Sequence, residues 1–163
     1  TATTEIYTLS LHDASSDLAP DHSYVKLLRD AWDGPLIVKG VMCPDDAAPL
    51  EGLGVDAVWV SNHAGRQFAG SPAAIDMLPA VKAATNLPLI FDSGIEGGLD
   101  MLRALALGAD FVMMGRAWHY ALGAVGTKGP AHLYDMLVDD LTSNMIQIAA
   151  THLSDLPDLL HKY

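Results

Sequence analysis

Apolar positions along the chain alternate between two patterns, short unbroken runs and stretches with helical spacing. "SYVKLLRDAW" repeats its apolar residues at helical intervals and is closed by "DGP". "LIVKG" is almost wholly apolar, as expected of a strand buried on both faces. "CPDDAAPLEGLG" predicts a short helix that starts at Asp45 or a neighbour and ends at Gly52 or Gly54. "VDAVWVSNH", "LPLIFDSG" and "ADFVMMGRA" predict three further strands, with helices "SPAAIDMLPAVKAAT" and "GGLDMLRALALG" between them. A Gly-rich link then leads to a long amphipathic helix, "GPAHLYDMLVDDLTSNMIQIAATHL", and a tail, "SDLPDLLHKY". Thr1 to Pro20 has no clear period and reads as a loop or flexible lead-in, which leaves 21–163 as the folded unit.

Strands that alternate with helices imply repeated βαβ units and a parallel sheet. Two architectures fit, a doubly wound open sheet and part of a (β/α)8 barrel. A full barrel takes about 250 residues, so 163 residues supply about half of one. Each apolar run ends in polar or Gly-containing sequence: Lys39-Gly40, Ser61-Asn62-His63, Asp92-Ser93-Gly94 and Gly115-Arg116. Chemistry at the carboxyl end of every strand is the habit of barrels, whereas an open sheet gathers it at one switch point. The expected fold is therefore α/β, about half of a barrel. Such a half barrel leaves two sheet edges and an apolar inner face open. It should pair with a second copy, as a homo-oligomer, or with the remaining half of the barrel.

The formal net charge of −11 argues against nucleic acid or anionic membrane as a partner, since both reward clustered Lys and Arg. A single cysteine, Cys43, excludes an internal disulfide framework and fits a reducing compartment. It lacks a motif that would make it a nucleophile. The start, "TATTEIYTLS", has no basic and apolar regions of a signal peptide, and no apolar run approaches the ~20 residues that span a bilayer. A cytoplasmic protein, or one peripheral to the inner membrane face, is expected.

The strand ends carry the candidate chemistry. Glycines in "FDSGIEGG" and "FVMMGRA" let backbone amides approach an anion, each ahead of a helix N-terminus. Gly94, Gly115 and Arg116 could cradle one phosphate; ordinary tight βα turns with a surface arginine fit equally well. Neither stretch has the G-x-G-x-x-G dinucleotide pattern, and no P-loop is present. Asp92 closes an apolar strand, where a ligand hydroxyl or a helix N-cap would satisfy it. Lys39 closes another, offering charge to an electron-rich ligand or pairing with Asp92. His63 can take a proton near neutral pH, and Arg66 can grip a carboxylate with two parallel bonds. The other six histidines, His119 among them, show no metal-ligand spacing and read as structural or surface; no metal is expected.

In order, "PLIVKG", "VSNHAGRQ", "SPAAIDMLP", "PLIFDSGI" and "ALGADFVMMGRA" resemble the FMN-dependent α-hydroxy acid dehydrogenase and oxidase family over about residues 24–156. The resemblance implies a (β/α)8 barrel, FMN as cofactor, and oxidation of a small L-2-hydroxy acid such as lactate or glycolate to the 2-oxo acid. By the same resemblance, Lys39 and Ser61 would contact the flavin, and His63 would be the base. Arg66 would bind the substrate carboxylate and Asp92 the ribityl hydroxyls. Ser93, Gly94, Gly115 and Arg116 would surround the FMN phosphate, and Ile95 would also contact the cofactor. Three departures stand out. Ala64 replaces the first glycine of the usual "NHGGRQ", Glu96 stands where the family carries arginine, and the first four barrel units have no counterpart here. A different FMN- or phosphate-binding barrel enzyme, such as an isomerase, is the alternative, as is a non-catalytic self-associating half barrel.

Overall fold

A computed structural model describes residues 21–160; the expected lead-in, Thr1 to Pro20, lies outside them. Four strands, β1 (Ile37–Val41), β2 (Ala57–Val60), β3 (Leu89–Phe91) and β4 (Phe111–Val112), form one parallel sheet in the order β1-β2-β3-β4. The order has no reversal, so there is no switch point. Helices α1 (His22–Ala31), α2 (Pro44–Ala47), α3 (Ala74–Ala84), α4 (Gly98–Ala106), α5 (Arg116–Val125) and α6 (Gly129–Gln147) complete the chain, with short 3-10 turns between them. Val38, Val41, Val58, Val60, Leu89 and Phe91 are buried in one core with Ala47, Ala74, Leu78 and Val81 from the helices. Alternation along the strands sends Lys39, Trp59 and Ile90, which are register partners, to the opposite face. One face under helices and one facing inward is the arrangement of a barrel wall, here four of its βα units.

Two units share a device at their strand starts. Asp56, before β2, accepts from Leu36 N at 2.7 Å and from Arg29 at 3.3 Å. Asp110, before β4, accepts from Leu89 N at 2.8 Å and from Lys82 at 3.0 Å. In each case a glycine two residues earlier, Gly54 at φ +77° or Gly108 at φ +110°, lies against the aliphatic stem of that basic residue. One carboxylate thus ties a strand start to the preceding strand and to a helix. Gly40, at φ +96°, takes up a register shift between Lys39 and Val41 against β2, as a β-bulge requires.

Several expected elements are corrected. The run "CPDDAAPLEGLG" is one helical turn, α2, then a 3-10 turn at Glu51–Leu53 closed by Gly54 in the left-handed conformation; Pro49, with no N–H to donate, prevents one continuous helix. The fourth strand covers only Phe111–Val112, and the expected Gly-rich link is α5, opening at Arg116. Trp118, Leu122 and Val125 keep helical spacing there, and α5 docks on α6 so closely that a Cβ on Gly129 would collide with the Ala121 carbonyl. That packing outweighs the low helix propensity of Gly123. Helix α6 ends at Gln147 rather than near Leu153 because Ala149 turns left-handed, at φ +57°, while Ala150 N donates to Met145 O at 3.0 Å. The reversal packs Ala150 and Leu156 onto Leu102 and Ala106 of α4. The tail is therefore structured, as a 3-10 segment over Leu153–Leu159.

Candidate active site

Parallel strands in unbroken order bring all four carboxyl ends to one rim of the sheet. Nine of the ten residues singled out in the sequence line one open cavity of about 670 Å³ at that rim: Lys39, His63, Arg66, Asp92, Ser93, Gly94, Ile95, Gly115 and Arg116. The tenth, Ser61, is 1% exposed and lies beneath it. Lys39 reaches three groups. Its Nζ donates to Ser61 Oγ at 2.8 Å, pairs with Asp92 Oδ2 at 3.1 Å, and sits 4.7 Å from the centroid of the Trp59 ring. The ion pair between Lys39 and Asp92 that the sequence left open is therefore formed, and Asp92 does not cap a helix, since Gly97 holds the N-cap position of α4. The ammonium supplies one fixed positive charge at the cavity floor, balanced by one carboxylate.

His63 and Arg66 sit on a tight turn after β2. His63, Ala64 and Gly65 are all left-handed, at φ +54°, +56° and +70°, and two of them carry side chains, an arrangement that costs about 1–3 kcal/mol per residue unless neighbours enforce it. Arg66 donates from Nε to His63 O at 3.2 Å and leaves its terminal nitrogens at the exposed mouth. Asn62 anchors the following loop by donating to Pro72 O at 2.9 Å.

The two helix N-termini at this rim differ. The first amide of α4, Gly98 N, donates to Asp140 Oδ2 of α6, so that end is already closed by a carboxylate. The N-cap of α5 is Gly115, with no side-chain cap. A Cβ added at Gly94 or Gly115 would meet no atom within 4 Å, so no side chain crowds the backbone amides there. Their partial positive charge and the Arg116 guanidinium suit an anion. Glu96 pairs with Arg116 at 3.7 Å across two exposed side chains, a contact worth little in water. Its carboxylate thus points at the arginine that an anion would use.

Sequence reading missed His119, Tyr120, Met113 and Met114, which also line the cavity. His119 Nδ1 contacts Gly115 O at 3.1 Å. The missing signal was the helix start: with α5 beginning at Arg116, positions three and four later share its face. Trp59, 7% exposed, forms the wall beneath Lys39. Among the described residues no group of three or more His, Cys, Asp or Glu could hold a metal ion, and no helix is long and apolar enough to cross a membrane.

A family model described as FMN-dependent dehydrogenase matches residues 3–162. The chain is 41% identical over 145 residues to an L-lactate dehydrogenase of Acinetobacter baumannii, covering 86% of this chain and 38% of that protein. Its fold superposes with a TM-score of 0.83 and 35% identity on a soluble mutant of the membrane-associated (S)-mandelate dehydrogenase of Pseudomonas putida, covering 89% of this chain and 42% of that one. A mandelate oxidase crystallised with (S)-4-hydroxymandelic acid matches with a TM-score of 0.78 and 32% identity, over 83% of this chain and 39% of that one. The chain thus spans about two fifths of the length of the relatives it matches.

Proposed function

The chain belongs to the FMN-dependent dehydrogenase family, and from that premise we propose that it forms the C-terminal catalytic half of an enzyme oxidising a small L-2-hydroxy acid to the 2-oxo acid. The observation that carries the reading is the convergence of Lys39, His63, Arg66, Asp92 and Arg116 on one cavity. Residues present fit FMN: uncrowded backbone at Gly94 and Gly115 beside Arg116 for a phosphate, and a part-buried Lys39–Asp92 pair for the polar parts of the ring and ribityl chain. Lys39 and Ser61 would hold the flavin, Asp92 the ribityl hydroxyls, Ser93, Gly94, Gly115 and Arg116 the phosphate, and Ile95 would contact the cofactor. When bound, FMN supplies the acceptor for the hydride equivalent leaving the alcohol carbon.

The protein's own share of the chemistry is binding and proton handling. Arg66, at the mouth, grips the substrate carboxylate with two parallel N–H bonds and so orients the alcohol carbon. His63, three positions earlier on the same turn, takes the hydroxyl proton at an imidazole nitrogen. Arg66 also donates to the His63 carbonyl, which ties base and clamp to the same turn. Lys39 keeps a positive charge beneath the site, where it would offset negative charge gained by a bound electron acceptor.

We also propose that residues 21–163 act as one half-barrel unit whose β1 and β4 edges pair with four further βα units, from the N-terminal half of the barrel or a second copy. Phe111 on β4 is 59% exposed, an apolar residue on an open edge strand. Reconstitution with FMN tests the whole reading. Purified chain, alone and with the barrel's first half supplied, should show flavin absorbance that bleaches anaerobically on adding L-lactate or L-mandelate. A colourless, unreactive protein in both states refutes it. Flavin retained without bleaching would favour the isomerase alternative.

A further inference from the structure

Two serines, just past the ends of β2 and β3, bond to the turn that carries His63. The Ser93 hydroxyl donates to Asp92 Oδ1 at 2.7 Å, and a carboxylate can only accept. Its single proton being used, the 3.4 Å contact between the two serine oxygens runs from Ser61 to Ser93. Ser61 Oγ accepts from Lys39 Nζ at 2.8 Å, and Lys39 pairs with Asp92 Oδ2 at 3.1 Å. Lys39, Ser61, Ser93 and Asp92 thus close a ring in which Lys39 donates along both arms and the Asp92 carboxylate accepts from both.

Two consecutive backbone amides hang from this ring. His63 N–H donates to Ser61 Oγ at 3.2 Å, and Ala64 N–H donates to Ser93 Oγ at 3.1 Å. Both residues are left-handed, and Ala64 has no side-chain group that favours that conformation. Ser93 is itself left-handed, at φ +78°, where glycine would sit without strain. Its side chain therefore costs local strain, and the hydroxyl it brings is the only link from β3 to the Ala64 amide among the bonds described for the residue.

We propose that Ser93 is a positioning residue: its hydroxyl spans from Asp92 to the Ala64 amide, and so latches the His63–Gly65 turn, with base and clamp, to the end of β3. The inference rests on His63 as the base, but the latch is tested without turnover. In the full chain, Ser93→Gly and Ser93→Ala should each speed amide exchange at Ala64 about five- to tenfold, the loss expected of one hydrogen bond. The His63 ring resonances should shift, those of His119 should not, and exchange at the ladder amides Val58 and Asp92 should stay unchanged. Ser93→Gly suits φ +78°, so it keeps the loop conformation accessible if Ser93→Ala does not fold. Unchanged Ala64 exchange in Ser93→Gly overturns the proposal, as does equal acceleration at Asp92 and Val58, which would mark general loosening of β3. Full turnover by a flavin-loaded His63→Ala protein would instead overturn the base assignment, and the catalytic purpose of the latch with it, while Ala64 exchange still reports the latch.

Discussion

Replacing Gly98 and Gly123 by alanine sets one local preference against two packing environments. Both glycines lie in helices, so each substitution should gain up to about 1 kcal/mol of helix propensity. At Gly123 an added Cβ meets no atom within 4 Å, and the gain should be kept. At Gly98 the Cβ would lie 2.6 Å from the Asp140 carbonyl carbon and 2.7 Å from Leu141 Cα, with the Leu141 amide nearer still. Those are backbone atoms of α6, so no side chain can rotate away, and α4 and α6 must separate. Overpacking of this kind costs about 1–3 kcal/mol, and the backbone obstacle puts Gly98 at the upper end. Subtracting the propensity gain leaves a net loss of about 2 kcal/mol for Gly98→Ala. At about 2–4 °C per kcal/mol for a chain of this size, Tm should fall by about 4–8 °C. Gly123→Ala, near the helix end, should raise it by about 2 °C. Thermal and urea unfolding of both proteins, followed by circular dichroism, reads both signs. A Gly98→Ala protein as stable as the parent would refute the close approach of α4 to α6, and with it the closure of the α4 N-terminus by Asp140.

Three further outcomes follow from the site and its flanks. Arg66→Lys, which replaces a planar fork by a point charge, should raise KM for the 2-hydroxy acid by on the order of tenfold, while His63→Ala should lose kcat and keep affinity for a carboxylate inhibitor; steady-state kinetics on flavin-loaded protein separates the two. Glu96→Gln, by freeing Arg116 from its 3.7 Å partner, should tighten inorganic phosphate binding by a few fold at low salt and by less at high salt; calorimetry at two ionic strengths checks it, and weaker binding would refute it. The Ser23 hydroxyl and the Tyr24 and Ser23 amides hold the Asp21 carboxyl below its ordinary value of 3.8. The folded group titrates below the unfolded one, so its cap on α1 should be fully present above pH 3.8 and lost as pH falls through the lowered value. Carboxyl NMR titration should give an Asp21 midpoint under 3.8, and a midpoint at or above it would remove the cap from the account.

How much of this was legible beforehand differs by element. The four apolar runs and the polar groups that end them were readable because a parallel strand buries both faces and each run meets its site at one end. Given the βαβ order, the rim had to collect Lys39, Ser61, His63, Asp92 and Arg116 together. Helix α5 was not readable, because Gly123 and Gly126 suggest a link until α6 is there to pack against. With the start of α5 hidden, His119 and Tyr120 were hidden too. The pairing of Glu96 with Arg116 and the closure of α4 by Asp140 likewise join residues from separate elements.

By itself the amino-acid order determined the alternation of strands and helices, the family resemblance, and which residues stand at the strand ends. These depend on spacing within a few residues, where period and burial act locally. Only the tertiary structure decided what those residues do to one another. The bond from Ala64 N to Ser93 Oγ spans 29 positions, and the pair between Lys39 and Asp92 crosses from β1 to β3. Such contacts depend on sheet register, and a shift of one residue would turn each side chain to the opposite face. The substitution of Ala64 for glycine shows the same division: the sequence marks a methyl group where space looks scarce. The fold beyond the end of β3 brings the Ser93 hydroxyl to 3.1 Å from the amide of that left-handed residue.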